Sequence, residues 1–161
     1  MDSREQAGPS AGDRVDHILT RLRERGMRVT PQRVAIVQRF IVRGDHPSAE
    51  SLYKDLRDDF PMMAISTVYK TLRTLVDLGE AVEVSPAAPE ARYDPNTRNH
   101  YHLVCLGCKA IVDVAMEAPP HTMPSGVEGV SAGFRPLVHV YQIIGYCSSC
   151  VSAGRSRAPE A

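Results

Sequence analysis

The chain has 161 residues, of which 43% are hydrophobic, and its formal net charge is zero. This length suits one or two small domains. Because the net charge is zero, the overall charge does not indicate which partners the chain binds. No stretch approaches the roughly 18 apolar residues that span a membrane, and residues 1–6 lack the apolar segment of a secretory leader. The sequence therefore predicts a soluble, cytoplasmic protein.

One segment departs from this balance of charge. Residues 14–43 contain eight arginines and only two acidic residues, Asp16 and Glu24. A local excess of arginine favours contact with a polyanion such as nucleic acid.

Helical signals dominate the first half of the chain. Apolar residues at helical spacing predict a helix over residues 15–25, ended by Gly26. Thr30 followed by Pro31 is typical of a helix start, and the periodicity that follows predicts a second helix up to Gly44. Ser48 is placed to cap a third helix that runs to Leu56.

The fourth helix has the most regular pattern. Its predicted apolar face consists of Ile65, Val68, Leu72, Leu75 and Val76, and Gly79 marks its end. The opposite face is polar or cationic and comprises Ser66, Tyr69, Lys70, Arg73 and Asp77. A helix that reads the major groove needs these two faces, although an ordinary amphipathic surface helix has them too.

Strand signals begin after this helix. Residues 81–84 and 91–94 flank a proline-rich loop, 86–89, which is the arrangement of a β-wing after a helix-turn-helix. Further strands are predicted over 101–105, 110–114 and 138–146, whereas the prolines of segment 115–135 leave its structure open. The predicted fold class is α+β, with a winged helix-turn-helix over 13–96, a small α/β domain over 97–151, and tails at 1–12 and 152–161.

All four cysteines belong to two C-x-x-C pairs, Cys105/Cys108 and Cys147/Cys150. In a reduced compartment such pairs supply thiolates, and four thiolates close a tetrahedral Zn(II) site with no open position. The sequence predicts a structural zinc site here. A redox switch or two disulfides is the alternative.

Two histidines, His100 and His102, lie just before the first cysteine pair. On a β-strand they share one face, whereas Tyr101, Leu103 and Cys105 share the other. One strand can therefore contribute to two separate metal sites.

Four motifs in order resemble the ferric uptake regulator family. They are R-V-T-P-Q-R at 28–33, H-P-S-A-E at 46–50, S-T-V-Y-K-T-L at 66–72, and the histidine and cysteine block that begins at His100. The resemblance implies a DNA-binding winged helix and a C-terminal dimerisation domain. It implies a homodimeric transcriptional repressor that acts when metal is bound. It also implies that Arg28, Tyr69 and Lys70 contact DNA.

The resemblance also implies a second metal site. Its ligands would be His46, Asp94, His100, His102 and Asp113, a set of nitrogens and oxygens that suits Fe(II) or Mn(II) and leaves a sixth position open. His46 and Asp94 belong to the predicted DNA-binding half and the other three to the dimerisation half. One bound ion would therefore fix the two halves, and a dimer so fixed would read a pseudo-palindrome.

Aspartates at 94 and 113 are similar to the peroxide-sensing branch of that family. There, bound Fe(II) reduces peroxide and the resulting oxidant modifies a histidine ligand, here His46 or His100, so that metal and DNA are released. Mn(II) would support repression but respond poorly to peroxide. An iron-responsive or zinc-responsive repressor is the alternative within the family.

The chain departs from the family at Asn99 and Tyr101, where many members carry further ligands, so a third metal site is not expected. His139 is predicted to be structural, and His17 and His121 have no predicted partners. Outside the regulator class, two histidines and a carboxylate also describe non-haem iron enzymes, and the cysteines also describe a zinc-ribbon interaction module. No cosubstrate pocket is evident for the enzyme, and we expect no organic substrate.

Overall fold

The first helix begins earlier than the periodicity predicts. The computed structural model describes residues 10–84, 90–116 and 140–156, and α1 spans Ala11–Glu24. Ser10 Oγ accepts a hydrogen bond from the Asp13 amide at 3.1 Å, and the Asp13 carboxylate accepts one from the Ser10 amide. This reciprocal capping box stabilises the start of the helix. Ser10 to Gly12 are therefore helix and cap, and not part of a tail as predicted.

Of the next three helices, the first two start where their capping residues predict, whereas the third has no side-chain cap. They are α2, Pro31–Val42, α3, Ala49–Leu56, and α4, Ile65–Asp77. The Thr30 hydroxyl accepts from the Arg33 amide at 3.4 Å, and the Ser48 hydroxyl accepts from the Ser51 amide at 3.2 Å. Their apolar faces meet in one core, whose fully buried members include Ile18, Leu22, Ile36, Phe40, Leu52, Leu72 and Leu75.

One position of α4 differs from its predicted face, and one buried position was not assigned to a face. Ile65 is 38% exposed, whereas Thr71 is fully buried. The Thr71 hydroxyl donates to the Thr67 carbonyl at 2.7 Å, so its polar group is satisfied within the helix and the rest of the side chain can enter the core. Ile65 is the first residue of the helix, at the edge of the packed stripe.

The predicted wing forms immediately after α4. Strands β1, Val82–Val84, and β2, Arg92–Asp94, pair antiparallel with Val82 opposite Asp94. The predicted loop at 86–89 lies outside the described residues. Three helices packed on α4 and followed by this hairpin constitute the winged-helix arrangement.

A second, three-stranded sheet follows. It contains β3, His100–Cys105, β4, Ile111–Ala115, and β5, Tyr141–Gly145, in the order β4-β3-β5. β3 pairs antiparallel with β4 and parallel with β5. The predicted strands are thus present with bounds shifted by one residue or more, and segment 117–139 lies outside the described residues.

A short helix that the sequence did not predict, α5, spans Ser148–Ser152. It extends by one residue, Ser152, into the segment predicted as a C-terminal tail, and Cys147 is its N-cap residue. Among the described residues, no helix is long and apolar enough to cross a membrane. The division into domains at 96/97 stays a prediction.

Candidate metal centre and nucleic-acid interface

His46 lies in the connection between α2 and α3 and is held against β2. The Tyr93 amide donates to the Pro47 carbonyl at 3.0 Å, and the Arg92 guanidinium donates to the His46 carbonyl at 3.3 Å. Ser48 also forms an isolated β-bridge with Arg92. Since Asp94 is the last residue of β2, these contacts hold His46 and Asp94 close together on the winged-helix side.

The His46 backbone has a φ of 51°, in the left-handed region that residues other than glycine rarely occupy. Such a conformation costs about 1–3 kcal/mol and persists only where the surroundings impose it. The hydrogen bonds to β2 supply that constraint.

The remaining three predicted ligands come from the second sheet. His100 and His102 are both buried and share a face of β3, as alternation predicts. Asp113 on β4 lies directly opposite His102 in the strand register, so its side chain reaches the same face.

All five side chains meet at one point. One nitrogen or oxygen atom from each of them lies within 4.8 Å of all the others. His46 Nε2 is 2.9 Å from Asp113 Oδ1, and His100 Nε2 is 2.9 Å from Asp94 Oδ2. His102 Nε2 is 3.1 Å from the same Asp94 oxygen and 2.9 Å from His100 Nε2.

These separations fit a single cation. Bonds of about 2.1 Å place adjacent octahedral ligands about 3.0 Å apart and opposite ligands about 4.2 Å apart. A fit is also indicated by both ring nitrogens of His46, which are buried and form no hydrogen bond among the described residues, since the 2.9 Å contact of Nε2 with Asp113 Oδ1 lacks hydrogen-bond geometry. A buried polar atom without a partner costs about 1–3 kcal/mol, and a metal ion would satisfy Nε2.

Hydrogen bonds on the outer side of the ligand side chains orient the atoms that would bind the metal. His100 Nδ1 lies 2.7 Å from the Arg98 carbonyl and can only donate there, which leaves the inward Nε2 with a free lone pair. The Asn96 amide donates to Asp94 Oδ1 at 2.7 Å and directs Oδ2 toward the histidines.

The charge states at neutral pH also suit a metal. Burial lowers the pKa of His46, which keeps its imidazole neutral. Burial opposes ionisation of Asp94, but the hydrogen bonds from His102 and the Asn96 amide prevail and lower its pKa overall. The centre therefore offers neutral imidazole together with carboxylate, the forms that bind divalent cations.

Solvent reaches this centre from one side. Four ligands are at most 7% exposed, whereas the Asp113 side chain is 35% exposed. Asp94 and Asp113 both line a cleft of about 910 Å³, whose rim includes Arg14, Arg43 and Arg98. A small molecule can therefore approach the ligands from the Asp113 side.

The four cysteines form a second cluster near the far end of β3. Their sulfur atoms all lie within 4.8 Å of one another, and Cys108 Sγ is 3.8 Å from Cys147 Sγ. Zinc–sulfur bonds of about 2.3 Å in a tetrahedron separate the sulfurs by about 3.8 Å, whereas a disulfide needs about 2.05 Å. All four cysteines are free, so the arrangement suits a metal ion and not a pair of disulfides.

Backbone amides prepare one sulfur, that of Cys105, as a thiolate. Hydrogen bonds from the Cys108 and Cys147 amides lower the pKa of Cys105 to about 6, and the Cys147 amide lies 3.3 Å from Cys105 Sγ. Burial raises the pKa of Cys150 to about 12. A cation at the centre of the cluster would offset that burial.

Gly107, which the sequence analysis missed, is part of this cluster. A Cβ atom at this position would lie 2.7 Å from Cys150 Sγ and 3.0 Å from Cys150 Cβ. Its place between the two cysteines of the first pair is the signal that would have identified it.

The predicted DNA contacts lie on exposed parts of the winged helix. Tyr69 and Lys70 follow one another on the polar face of α4, and Tyr69 is 40% exposed. Arg28 is exposed in the connection between α1 and α2, where its carbonyl accepts a hydrogen bond from Arg33. Whether these three side chains contact DNA stays a prediction.

Two further contacts were not predicted. The Tyr69 hydroxyl donates to the carboxylate of Glu50 on α3. His17 has a partner after all, since its Nε2 lies 3.1 Å from the carboxylate of Glu80, which also receives Arg21 at 3.1 Å. His121 and His139 lie outside the described residues.

Comparison with known proteins identifies the family. The ferric uptake regulator family model matches residues 24–121, which is more than half of the chain. The peroxide-responsive repressor PerR of Staphylococcus aureus (strain USA300) is 34% identical over 136 residues, which cover 84% of this chain and 90% of that protein.

Solved structures agree at the level of the fold. The Helicobacter pylori ferric uptake regulator Fur superposes with a TM-score of 0.68 and 20% identity, over 94% of this chain and 97% of that one. A zinc uptake regulator complexed with zinc and DNA superposes with a TM-score of 0.56 and 23% identity, over 91% and 98% of the two chains. With the family match and its motifs on both halves, this chain belongs to the ferric uptake regulator family.

Proposed function

We propose that this chain is a metal-dependent repressor that binds operator DNA as a homodimer and releases it in response to peroxide. The observation that carries the proposal is the five-ligand cluster, because its members come from both parts of the fold. His46 and Asp94 are attached to the winged helix, whereas His100, His102 and Asp113 lie on the second sheet.

A cation in this cluster would link the recognition helix to the second sheet in one orientation. Metal can favour the DNA-binding orientation only through its higher affinity for that orientation. About 5.5 kcal/mol shifts a two-state equilibrium from 1:99 to 99:1, so the cation would have to bind the DNA-binding orientation more tightly by that amount. Fe(II) and Mn(II) are the proposed regulatory cations, with Zn(II) held separately by the cysteines.

The peroxide signal is supported by ligand type and by similarity. The carboxylates are aspartates at 94 and 113, and the Staphylococcus aureus relative at 34% identity is a peroxide-responsive repressor. Fe(II) in the centre would supply electrons to peroxide that enters through the cleft beside Asp113. Transfer of one peroxide oxygen to a ring carbon of His46 or His100, with the other oxygen leaving as water, would weaken that ligand, and the link between the two parts would then be lost.

The DNA partner is supported by α4. Its exposed face carries Tyr69, Lys70 and Arg73, and the zinc uptake regulator with the same fold was solved with DNA bound. Two copies related by a two-fold axis would present two such helices and read a pseudo-palindrome. Free thiols at four cysteines suit the reducing cytoplasm, where we propose that the protein acts.

One experiment tests the metal and the signal together. Duplex DNA is first selected from a random pool with Mn(II)-loaded protein, and its binding is then followed by fluorescence anisotropy. We expect binding with Mn(II) or Fe(II), loss of binding after peroxide only in the Fe(II) form, and one added oxygen on a peptide that contains His46 or His100.

Two other results would contradict the proposal. Release by iron or zinc depletion without any oxidised histidine would make the chain an iron-responsive or zinc-responsive repressor. Metal-independent DNA binding would contradict the regulatory role of the cluster.

A further inference from the structure

The hydrogen bond between Tyr69 and Glu50 joins the two helices of the helix-turn-helix. Tyr69 lies on the exposed face of α4, beside Lys70 and Arg73, and its hydroxyl donates to the Glu50 carboxylate on α3. Both side chains therefore lie on the face that the proposed function assigns to DNA.

The two groups keep these roles across the physiological pH range. The hydrogen bond to Glu50 raises the pKa of Tyr69 to about 12, so the phenol remains protonated and donates. The same bond lowers the pKa of Glu50, so the carboxylate remains ionised and accepts.

Glu50 is well placed to act as a fixed acceptor. It lies in the first turn of α3, after the Ser48 cap, where the helix dipole favours a carboxylate. α3 itself is fixed by Leu52 and Leu56, which are buried against the core shared with α4. A tyrosine has only two side-chain torsions, so one hydrogen bond at its hydroxyl to a fixed acceptor orients the whole ring.

The charge of Glu50 makes it an unfavourable neighbour for DNA phosphates. A carboxylate on a DNA-facing surface lowers affinity for any duplex, because affinity without sequence preference depends on phosphate neutralisation. Attraction to phosphates is therefore not how Glu50 would support DNA binding, whereas its hydrogen bond to Tyr69 acts on a side chain predicted to contact DNA.

We propose that Glu50 is a positioning residue that determines sequence specificity, by holding the Tyr69 ring in the orientation that contacts thymine methyl groups in the major groove. This inference rests on the proposed DNA-binding function. It predicts opposite effects on the two kinds of DNA: Glu50→Ala weakens binding to the selected operator but leaves binding to random duplex unchanged or stronger. A variant that merely damaged the fold would weaken both.

The test compares four variants of the full chain loaded with Mn(II): Glu50→Ala, Glu50→Gln, Tyr69→Phe and the double variant Glu50→Ala/Tyr69→Phe. Fixing one side chain accounts for about a three- to tenfold change in affinity. We expect Glu50→Ala and Tyr69→Phe each to lose that factor on operator DNA, and the double variant to lose no more than either, because both remove the same bond. Glu50→Gln keeps an acceptor oxygen and should restore specificity.

A second readout identifies the contacted base. Thymines of the operator are replaced one at a time by uracil, which removes only the methyl group. The wild-type chain should lose affinity at one or two positions, and Glu50→Ala should show a smaller loss at those positions. Thermal melting and zinc content verify that each variant is folded.

Several results would overturn the inference. One is equal operator affinity for Glu50→Ala and wild type, and another is additive losses in the double variant. Uracil effects that are unchanged by Glu50→Ala would also overturn it, as would Glu50→Gln behaving like Glu50→Ala. If the wild-type chain fails to bind any selected DNA with metal, the proposed function itself fails, which is a separate outcome.

Discussion

His46 Nε2 lies 2.9 Å from Asp113 Oδ1, which brings a loop before α3 into contact with the second strand of the other sheet. The two residues are 67 positions apart in the sequence, and each is attached to a different part of the fold. Without a cation this contact is one ion pair at most. With a cation it becomes part of a five-ligand centre.

Replacement of His46 tests this relationship. We expect His46→Ala to keep its zinc and its dimeric state, because the cysteine cluster and the second sheet do not use this residue. DNA binding should no longer respond to Mn(II), with at least a tenfold loss of metal-dependent affinity. Mass spectrometry of the intact zinc form, size-exclusion chromatography and anisotropy measure the three properties.

His17→Ala is the matched control for that variant. His17 is an imidazole on the same part of the fold, but it pairs with Glu80 and does not reach the cluster. Metal-dependent DNA binding should be retained. Full Mn(II)-dependent binding by His46→Ala would contradict the proposed link between the two parts.

Acid should release the regulatory metal. Protons and the metal compete for three imidazoles, and protons bind free imidazole at a pKa of about 6.5. Because burial lowers the pKa of His46, its protonation requires a lower pH than that. Mn(II) affinity should therefore change little between pH 8 and 7 and fall steeply below about pH 6, as measured by calorimetric titration. Affinity that stays constant down to about pH 4, well below the ordinary imidazole pKa, would contradict histidine ligands.

Gly107→Ala should disrupt the zinc cluster. The new Cβ would lie 2.7 Å from Cys150 Sγ, closer than a carbon and a sulfur can approach, so the two cysteine pairs must separate. We expect at least a tenfold loss of zinc affinity, measured by competition with a chromogenic chelator. Loss of zinc should also lower the melting temperature, because structural zinc contributes folding free energy.

Gly44→Ala is the control for that prediction. A Cβ at Gly44 has no atom within 4 Å, and the residue precedes the His46 loop without contact to the cysteines. Zinc affinity should equal that of the wild type. Equal zinc affinity in Gly107→Ala would show that the cysteine pairs tolerate a wider separation than the structure has.

The predicted phosphate and groove contacts can be separated by salt. Lys70→Ala should reduce the slope of log affinity against log salt by about one, since it removes one phosphate contact. Arg28→Ala should do the same if it lies over the backbone or in the minor groove. Arg23→Ala, an exposed arginine at the end of α1, serves as the control with an unchanged slope. Unchanged slopes for Arg28 and Lys70 would remove both from the DNA contacts.

Much of the fold was predictable because its signals are local. Thr30 and Ser48 mark the starts of α2 and α3 through hydrogen bonds that span only three residues. The α4 pattern identifies a buried and an exposed face for the same reason, apart from Ile65 at its edge and Thr71, whose hydroxyl bonds within the helix. The start of α1 was missed because the capping box of Ser10 and Asp13 precedes the apolar periodicity.

The two candidate metal centres were also predictable only where their signals are local. The C-x-x-C spacing and the alternation of β3 were sufficient to propose two separate clusters. The family resemblance supplied His46, Asp94 and Asp113, which no local pattern marks as ligands. Two contacts were not evident from the sequence, because each depends on a side chain from another element. They are the hydrogen bond between Glu50 and Tyr69 and the close approach of Cys150 to Gly107.

By itself, the sequence determined helices α1 to α4, the strands and the chemical types of ligand, since capping, periodicity and cysteine spacing act over a few residues. Tertiary structure alone decided that a loop in the left-handed conformation at His46 reaches a sheet 54 to 67 residues away. It also decided which exposed side chain of α4 is held by α3. Such contacts follow from how separate elements pack, and packing depends on the whole core.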